Sequence, residues 1–300
     1  MVLEKRGLGT MYALRRKLSR LKFQLATVIS PVLNTKMRYR ESFGKKLNLE
    51  QPQTFHEKLL WLKLNCYMDN PTVIQCADKY LVRDYICSCG CEEILNDLIG
   101  VWDNAHEIPW EELPDKFALK WNFGSGMNII CTDKNSLDKE SVIKQMEKWG
   151  KNKYWLNHSE MHYKYIPRKI VCEKFLEPNG ESVIPDYKVY CFHGEPKAIF
   201  VMHDRGKDTI KTEFFDVEWN RLNNTELFVS PEDETPKPAC LEKLLDISKK
   251  LSQPFPFVRC DFYVVDDKIY FGEMTFTPAG GIHTAETTVH GQKMEDFIHI

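Results

Sequence analysis

One stretch near the C-terminus, residues 259–275, places charged side chains inside two otherwise apolar strands. The strands flank two adjacent aspartates, a pattern typical of a tight hairpin turn. By alternation, two pairs of polar side chains each share a face of their strand: Arg259 with Asp261, and Glu273 with Thr275. Buried carboxylates are costly unless cations or hydrogen bonds compensate them. The pattern favours a site for Mg²⁺ and phosphate, and the alternative is an edge hairpin whose charges face water.

Length and composition indicate a folded globular chain. The 300 residues are 43% hydrophobic and 28% charged, which is enough apolar content for one large domain or two small ones. The ten cysteines are too few for a disulfide scaffold, and the spacing of Cys87, Cys89 and Cys91 differs from that of zinc ligands. We therefore expect reduced thiols. No apolar run approaches the roughly 20 residues of a membrane span.

Charge is distributed unevenly along the chain. Residues 1–46 hold 12 Lys and Arg but 2 Asp and Glu, whereas the remainder holds 29 basic and 41 acidic residues. Within this basic arm, residues 10–30 predict an amphipathic helix with Thr10 as its N-cap and an apolar stripe from Met11 to Val28. Such a helix can lie on an anionic membrane surface. The alternative is a helix packed on its own domain or on a partner helix.

The rest of the chain mixes helices and strands without regular alternation, which favours the α+β class. Thr54 and Glu57 form a capping-box pattern at the start of a largely buried helix over residues 54–66. Further helices are predicted at Ala77–Ile86, 136–149, Leu241–Leu251 and near Met294. Further strands are predicted at Phe117–Trp121, Asn128–Cys131, Lys169–Phe175, Tyr187–Phe192 and Lys197–Met202.

Several polar groups outside the hairpin could bind an anion, although none is specific alone. Lys120 ends a strand just before Gly124-Ser125-Gly126, a turn whose N–H groups could cover phosphates or which could be an ordinary hairpin turn. Asp78-Lys79 would otherwise be a surface pair. His203-Asp204-Arg205 could hold an anionic substrate or could simply end a strand. No serine lies in a G-x-S-x-G pattern, so a hydrolase triad has no support.

Taken in chain order, these signals resemble the ATP-grasp superfamily, of which D-alanine–D-alanine ligase is a familiar member. Within it they resemble the teichuronopeptide-biosynthesis-type proteins, regarded as amide ligases of bacterial surface-polysaccharide clusters. The segments that carry the resemblance lie within residues 50–285: QTFHEKLLWLK (53–63), ADKYLVR (77–83), FALKWNFGSG (117–126), DYKVYCFHG (186–194) and GEMTFTPAGG (272–281).

The resemblance implies an ATP-grasp fold, in which two α+β subdomains enclose ATP, preceded here by a mostly helical N-terminal region. We expect this region over residues 1–75. The lid subdomain is expected over residues 76–170 and the C-terminal core subdomain over residues 171–300.

The resemblance also implies roles for individual residues. Nucleotide binding is expected of Lys79, Lys120, Gly124, Ser125, Gly126, Glu173, Lys174, Phe175, Leu176 and Asp186. The metal ligands would be Asp261, Glu273 and Thr275, the last of which replaces the usual Asn. Catalysis would rest on Arg259 and Lys188. Substrate contacts are expected of His203, Asp204, Arg205, Gly280 and Gly281.

The implied reaction is ATP-dependent joining of a carboxylate to an amine through an acylphosphate, with ATP and two Mg²⁺ ions. The partners would be an amine or amino acid and the carboxylate of a surface glycan or nucleotide-sugar, without nucleic acid. We expect a cytoplasmic protein, held peripherally at an anionic bacterial plasma membrane through residues 10–30. The alternatives are a glycosyltransferase or sugar kinase of the same pathway, and a non-catalytic glycan- or nucleotide-binding module.

Overall fold

The computed structural model describes residues 2–177, 184–203, 211–222, 235–282 and 288–300. Asp204 and Arg205, predicted to contact substrate, lie outside the described residues. Among the residues that are described, no helix combines the length and the apolar character needed to cross a membrane.

Local sequence explains where several helices begin and end. Glu57 donates its N–H to the Thr54 hydroxyl and its carboxylate accepts the N–H of Thr54, which confirms the predicted capping box. Ser30 caps the next-earlier helix, with Pro31 in the first turn and Gly44 (φ 66°) after its end. The α-helices of the described residues are α1 (Val2–Ile29), α2 (Pro31–Phe43), α3 (Phe55–Asn65), α4 (Pro71–Ala77), α5 (Val82–Ser88), α6 (Lys139–Gly150) and α7 (Leu241–Ser252).

Two predicted helix boundaries were wrong. Helix α1 already begins before Thr10, which lies inside the helix rather than at its N-cap, because no proline precedes it to end the helical backbone. The helix predicted over Ala77–Ile86 is divided between α4 and α5. The break is at Asp78, whose backbone is extended and whose carboxylate accepts the N–H groups of Tyr80 and Leu81.

The described strands form two larger antiparallel sheets and one short ribbon. The first sheet has the order β1-β4-β2-β3 and contains β1 (Leu98–Trp102), β2 (Phe117–Trp121), β3 (Asn128–Cys131) and β4 (Ile170–Lys174). The second has the order β7-β6-β5-β8-β9 and contains β5 (Asp186–Phe192), β6 (Glu195–His203), β7 (Lys211–Phe215), β8 (Phe257–Val265) and β9 (Lys268–Thr275). The ribbon pairs β10 (Thr288–Val289) with β11 (Gln292–Lys293).

Two tight hairpins, β5–β6 and the predicted β8–β9, supply four of the five strands of the second sheet. The β8–β9 turn has positive φ at Asp266 (51°) and Asp267 (57°). The β5–β6 turn has positive φ at His193 (49°) and Gly194 (79°). Two successive left-handed residues give a turn whose twist matches that of the flanking strands, and Asp and Gly tolerate this conformation well.

A continuous apolar core joins the two sheets. Helix α7 covers the second sheet and buries Leu244, Ile247 and Leu251 in this core, which extends to Phe117 and Leu119 of the first sheet. Strand β4 begins at Ile170 and pairs within the first sheet. The expected boundary between the lid and core subdomains, at residues 170 and 171, therefore falls at the start of a strand of that sheet. The mixed fold with a helical N-terminal region agrees with the predicted α+β class.

Helices α1 and α2 pack together as an N-terminal hairpin on the side of the molecule. Helix α1 buries Phe23, Ala26 and Thr27, which lie on the face opposite the predicted apolar stripe. The helix therefore packs on its own domain and still exposes the part of that stripe from Leu18 onward. We call the exposed side chains the outer face of α1: Leu18, Leu21, Leu25, Val28 and Ile29, each between 51% and 76% exposed.

Candidate functional site

Three neighbouring strands of the second sheet bring charged side chains onto one surface. Asp261 on β8 lies opposite both Lys188 on β5 and Glu273 on β9. Arg259 shares a face with Asp261 and lies opposite Thr275. We call these five side chains the floor of the site. The predicted hairpin thus contributes its charges to a single patch.

The floor is held by short ion pairs in a buried environment. Arg259 donates from Nε and Nη2 to the two carboxylate oxygens of Asp261, at 2.7 and 2.6 Å. Lys188 Nζ lies 2.9 Å from Asp261 Oδ2 and 2.5 Å from Asp186 Oδ2. Burial of Asp261 would raise its pKa, but the charges of Arg259 and Lys188 outweigh this effect and hold the pKa below its ordinary value. Asp261 is therefore an anion at neutral pH.

The oxygen groups of the floor fit a magnesium ion. Asp261 and Glu273 are paired directly on the neighbouring strands β8 and β9, and carboxylate oxygens are ligands that Mg²⁺ prefers. Asp261 accepts three hydrogen bonds of the roughly four that a carboxylate can accept. Glu273 is more open, with 36% of its side chain exposed. Thr275 donates to Glu273 Oε1 at 3.4 Å and accepts from Arg259 at 3.2 Å, so its hydroxyl links Glu273 to Arg259.

A glycine turn, residues 122–127, lies above the floor between β2 and β3. Gly124 and Gly126 have φ of 67° and 74°, a conformation that favours glycine. Gly124 also has no room for a side chain, because a Cβ there would lie 2.6 Å from Cγ of Tyr154. Lys79 reaches the turn and donates from Nζ to the Gly124 carbonyl at 2.6 Å.

Lys120 and Glu173 pair across neighbouring strands of the first sheet. Lys120 Nζ lies 2.7 Å from Glu173 Oε2, and Arg83 approaches the other oxygen at 3.6 Å. Their side chains border a narrow hollow of about 300 Å³, including the space open to solvent, whose apolar wall comes from Leu95 and Phe271. Charges of both signs therefore lie beside an apolar wall in this hollow.

The glycine turn and three residues of the floor, Lys188, Asp261 and Glu273, line an open cleft of about 600 Å³, including the space open to solvent. Arg259 and Thr275 lie behind this lining. Its charged lining is balanced between cations and carboxylates: Lys79, Lys120 and Lys188 against Asp186, Asp261 and Glu273. The lysines alone therefore cannot neutralise a highly charged anion such as a triphosphate. The carboxylates can hold metal cations that complete the neutralisation.

Several predicted residues lie away from the cleft lining. Lys174 is 65% exposed and its Nζ lies 3.4 Å from Asp97. Phe175 and Leu176 follow it, half-buried, after β4 ends. His203 ends β6, where its Nε2 lies 2.7 Å from the Thr235 hydroxyl. Roles for these residues stay predictions.

Gly280 and Gly281 are buried on the α3 side of the site. A Cβ on Gly280 would lie 2.5 Å from Nδ1 of His158, and one on Gly281 would lie 2.7 Å from Leu60 Cδ2. The Gly280 carbonyl accepts a hydrogen bond from Lys63 at 3.4 Å. Close packing explains both glycines, and their predicted substrate contact stays a prediction.

Sequence reasoning missed several residues of the cleft. Gly272 lies inside β9, where a Cβ would come within 2.9 Å of the Asp261 carbonyl. A glycine inside a strand signals such close backbone approach and could have found it. Arg83 and Phe271 reach the hollow through strand and helix packing, and Tyr154 reaches the glycine turn from a separate segment. Phe271 and Tyr154 carry no signal in the sequence, whereas Arg83 ends the segment ADKYLVR and could have been noted there.

The protein family described as TupA-like ATPgrasp matches residues 57–294. The chain belongs to the TupA-like ATP-grasp family. Family membership confirms the predicted ATP-grasp fold, which accounts for the two sheets with a cleft between them. The match begins after α1 and α2, and no curated protein matches the chain significantly.

Solved structures that are similar to this ATP-grasp chain share little of its sequence. D-alanine–D-alanine ligase from Bacillus anthracis is 17% identical, with a TM-score of 0.43 over 68% of this chain and 58% of that one. N5-carboxyaminoimidazole synthetase from Staphylococcus aureus, complexed with ADP, is 14% identical, with a TM-score of 0.44 and coverages of 73% and 49%. L-amino acid ligase from Bacillus licheniformis is 13% identical, with a TM-score of 0.41 and coverages of 70% and 43%. The chain thus spans about half the length of these proteins.

Proposed function

We propose that the protein is an ATP-dependent ligase that joins a carboxylate to an amine through an acylphosphate. The observation that carries this proposal is the placement of two carboxylates, Asp261 and Glu273, opposite Lys79 and Lys120 in one cleft under a glycine turn. Membership of the ATP-grasp family supports it.

In this proposal the two sides of the cleft have different tasks. Lys79 and Lys120 bind the phosphates of ATP, and Asp261 and Glu273 hold two Mg²⁺ ions, which when bound neutralise charge on the transferring phosphoryl group. Lys188 and Arg259 keep Asp261 ionised and oriented. Backbone N–H groups of the glycine turn cover the phosphates and exclude water, which would otherwise hydrolyse the acylphosphate.

The reaction proceeds in two balanced steps. A carboxylate oxygen of the first substrate attacks the γ-phosphorus of ATP, the bond to the β-phosphate oxygen breaks, and ADP leaves. The amine nitrogen of the second substrate then attacks the acyl carbon, phosphate leaves with the former carboxylate oxygen, and the nitrogen loses a proton. The protein contributes positioning and charge neutralisation rather than a covalent intermediate.

For the substrates we propose a uronic acid or amino-acid carboxylate of a surface polysaccharide or its precursor, and an amino acid as the amine. The polysaccharide would be of the capsule, O-antigen or teichuronic type. The resemblance to teichuronopeptide-biosynthesis proteins supports this class of glycan.

ADP release is the most direct test. ATP, Mg²⁺, a uronic acid and an amino-acid pool are mixed with the protein, and ADP is measured with each component omitted in turn. Release that requires both partners supports ligation. Nucleotide-sugar consumption without ADP release would favour a glycosyltransferase. Phosphorylation of a sugar that needs no amine would favour a kinase, and nucleotide binding without turnover would favour a binding module.

Glu273→Gln tests the metal assignment, because it removes one charge from the more open carboxylate of the floor. We expect ligation to fall about a thousandfold, since loss of metal-based charge stabilisation costs several kcal/mol. Asp267→Asn is the matched control: it lies in the turn of the same hairpin, and Asn tolerates its left-handed conformation (φ 57°). Full activity of Glu273→Gln would contradict the metal assignment.

We also propose that the protein works in the cytoplasm, peripherally attached to an anionic membrane through the outer face of α1. The exposed apolar stripe is flanked by exposed basic residues, with Arg15 and Lys22 on one side and Lys17 on the other at 100° per residue. Pairing this face with a second copy would bring like charges together. An anionic lipid surface satisfies both the apolar stripe and its flanks.

Vesicle sedimentation tests the attachment. The full chain is expected to bind phosphatidylserine-containing vesicles and to bind neutral phosphatidylcholine vesicles weakly, and Leu21→Gln with Leu25→Gln should abolish both. Leu49→Gln, a change away from the outer face, is the control. Equal binding of the outer-face variant and the wild type would overturn the proposal.

A further inference from the structure

Residues 152–160, which we call the bridge segment, lie between the N-terminal hairpin and the glycine turn. They belong to neither sheet and contain a single 3₁₀ turn, Tyr154–Leu156. One end of the 3₁₀ turn contacts the glycine turn, and the other end contacts α1 and α2. The proposed chemistry does not use any of these residues.

Tyr154 packs directly against the glycine turn. Its ring occupies the space that a side chain at position 124 would need, with Cγ 2.6 Å from a Cβ placed on Gly124. The ring of Tyr163 packs edge-on against it at 5.2 Å between centroids and supports the half-buried Tyr154 ring from a second side. The turn cannot move towards the bridge segment while this ring is in place.

Asn157 receives hydrogen bonds from both helices of the N-terminal hairpin. Its backbone carbonyl accepts from Arg38 Nε and Nη2 at 3.1 and 2.8 Å, and from Asn34 Nδ2 at 3.4 Å. Its side-chain oxygen accepts from Arg20 Nε at 3.2 Å and from Gln24 Nε2 at 3.0 Å. One residue therefore gathers five hydrogen bonds from the hairpin.

The two contacts are joined within one turn of backbone. Asn157 donates its N–H to the Tyr154 carbonyl at 3.1 Å. The Leu156 carbonyl between them accepts from the Thr27 hydroxyl of α1 at 2.8 Å. A hydrogen-bonded 3₁₀ turn is short and stiff, so a displacement of one end moves the other.

We infer that Tyr154 is a positioning residue for the glycine turn and that the N-terminal hairpin sets its place through Asn157. This inference rests on the proposed function, in which the glycine turn covers the phosphates of ATP. The hairpin then acts on nucleotide affinity without touching the nucleotide. Replacing the ring of Tyr154 should loosen residues 122–127 and weaken nucleotide binding.

The first test measures Kd for AMP-PNP with Mg²⁺, and KM for ATP beside kcat, in three variants. Tyr154→Leu should raise Kd about tenfold, a misplacement effect of about 1.4 kcal/mol, with a larger change in KM than in kcat. Tyr154→Phe keeps the ring and should stay within about threefold of the wild type. Tyr165→Phe, at a tyrosine 48% exposed nearby, is the control. A Tyr154→Leu protein with unchanged Kd would overturn the inference.

Hydrogen exchange separates this inference from the proposed function. In the nucleotide-free protein, Tyr154→Leu should speed amide exchange of residues 122–127 while α7 keeps its protection. If the wild type binds no nucleotide but Tyr154→Leu still speeds exchange of residues 122–127, the proposed function is refuted and the positioning role stands. Unchanged exchange in Tyr154→Leu would refute the positioning role itself.

The link to the hairpin is tested by a double-mutant cycle. Asn157→Ala removes the side-chain oxygen that Arg20 and Gln24 contact, and should raise Kd for AMP-PNP about threefold. Asn65→Ala is the control, because Asn65 is exposed and its side-chain amide donates to the Trp61 carbonyl within α3. Because Asn157 acts through Tyr154, adding Asn157→Ala to Tyr154→Leu should change Kd little further. Fully additive effects would contradict the link.

Discussion

The floor and the glycine turn face each other across one cleft but are held in different ways. In the floor, Asp261 is surrounded by cations and nearly saturated with hydrogen bonds on three paired strands. The glycine turn is fixed at its first residue, Asn122, by hydrogen bonds to residues 167 and 169, but at Gly124 it is held by Lys79 and by the ring of Tyr154, both of which come from outside its own sheet. The floor is thus preorganised, whereas the position of the turn depends on neighbours that can themselves be displaced.

The largest effect is expected from breaking the floor. Arg259→Met removes the two hydrogen bonds that Arg259 donates to the buried carboxylate of Asp261, and the free energy of unfolding should fall by about 3–5 kcal/mol. Urea denaturation at neutral pH measures it. Lys249→Met is the control, because it breaks a pair that is about half exposed and should cost less than about 1 kcal/mol. Equal losses in the two variants would show that the floor is no different from a surface pair.

The next effect comes from the glycine turn. Gly124→Ala places an alanine in the left-handed backbone conformation, and its Cβ also clashes with the Tyr154 ring. The free energy of unfolding should therefore fall by about 2–4 kcal/mol. Gly126→Ala is the matched control, since it has the same sign of φ but no atom within 4 Å of the added Cβ. It should cost about 1–2 kcal/mol. Denaturation curves that coincide for the two variants would exclude the steric role of Tyr154.

Acid should destabilise the region that supports the glycine turn, because the bridge segment and its neighbours contain buried neutral histidines. Burial lowers the pKa of His162 to about 3, whereas an unfolded histidine takes up a proton near pH 6.5. Between these values the unfolded chain binds more protons, so the free energy of unfolding falls as pH falls below 6.5. The loss is up to about 1.4 kcal/mol per pH unit for this group.

His162→Phe isolates that contribution, since the Nδ1 atom of His162 is buried without a hydrogen-bond partner among the described residues. Urea denaturation at pH 6.5, 5.5 and 4.5 should give a shallower decline for the variant than for the wild type. The ionised floor should not contribute in this window, because the pKa of Asp261 is lowered. Parallel declines would mean that His162 does not titrate as its burial implies.

The two sides also differ in how far sequence reasoning reached them. The β8–β9 hairpin, its aspartate turn and the shared face of Arg259 and Asp261 follow from alternation and turn chemistry, which act over a few residues. The glycine turn was recognisable from its composition. Its support by Tyr154 was not, because nothing in the local sequence marks a contact across 30 residues.

The same reason explains the N-terminal hairpin. The amphipathic pattern of α1 was visible in the spacing of its leucines, whereas the burial of the opposite face depends on hydrogen bonds to the bridge segment. Periodicity and capping are local properties that a sequence carries openly. Which face a helix buries, which lysine meets which carboxylate, and what supports a loop depend on contacts between distant residues, and these form only when the whole chain has packed.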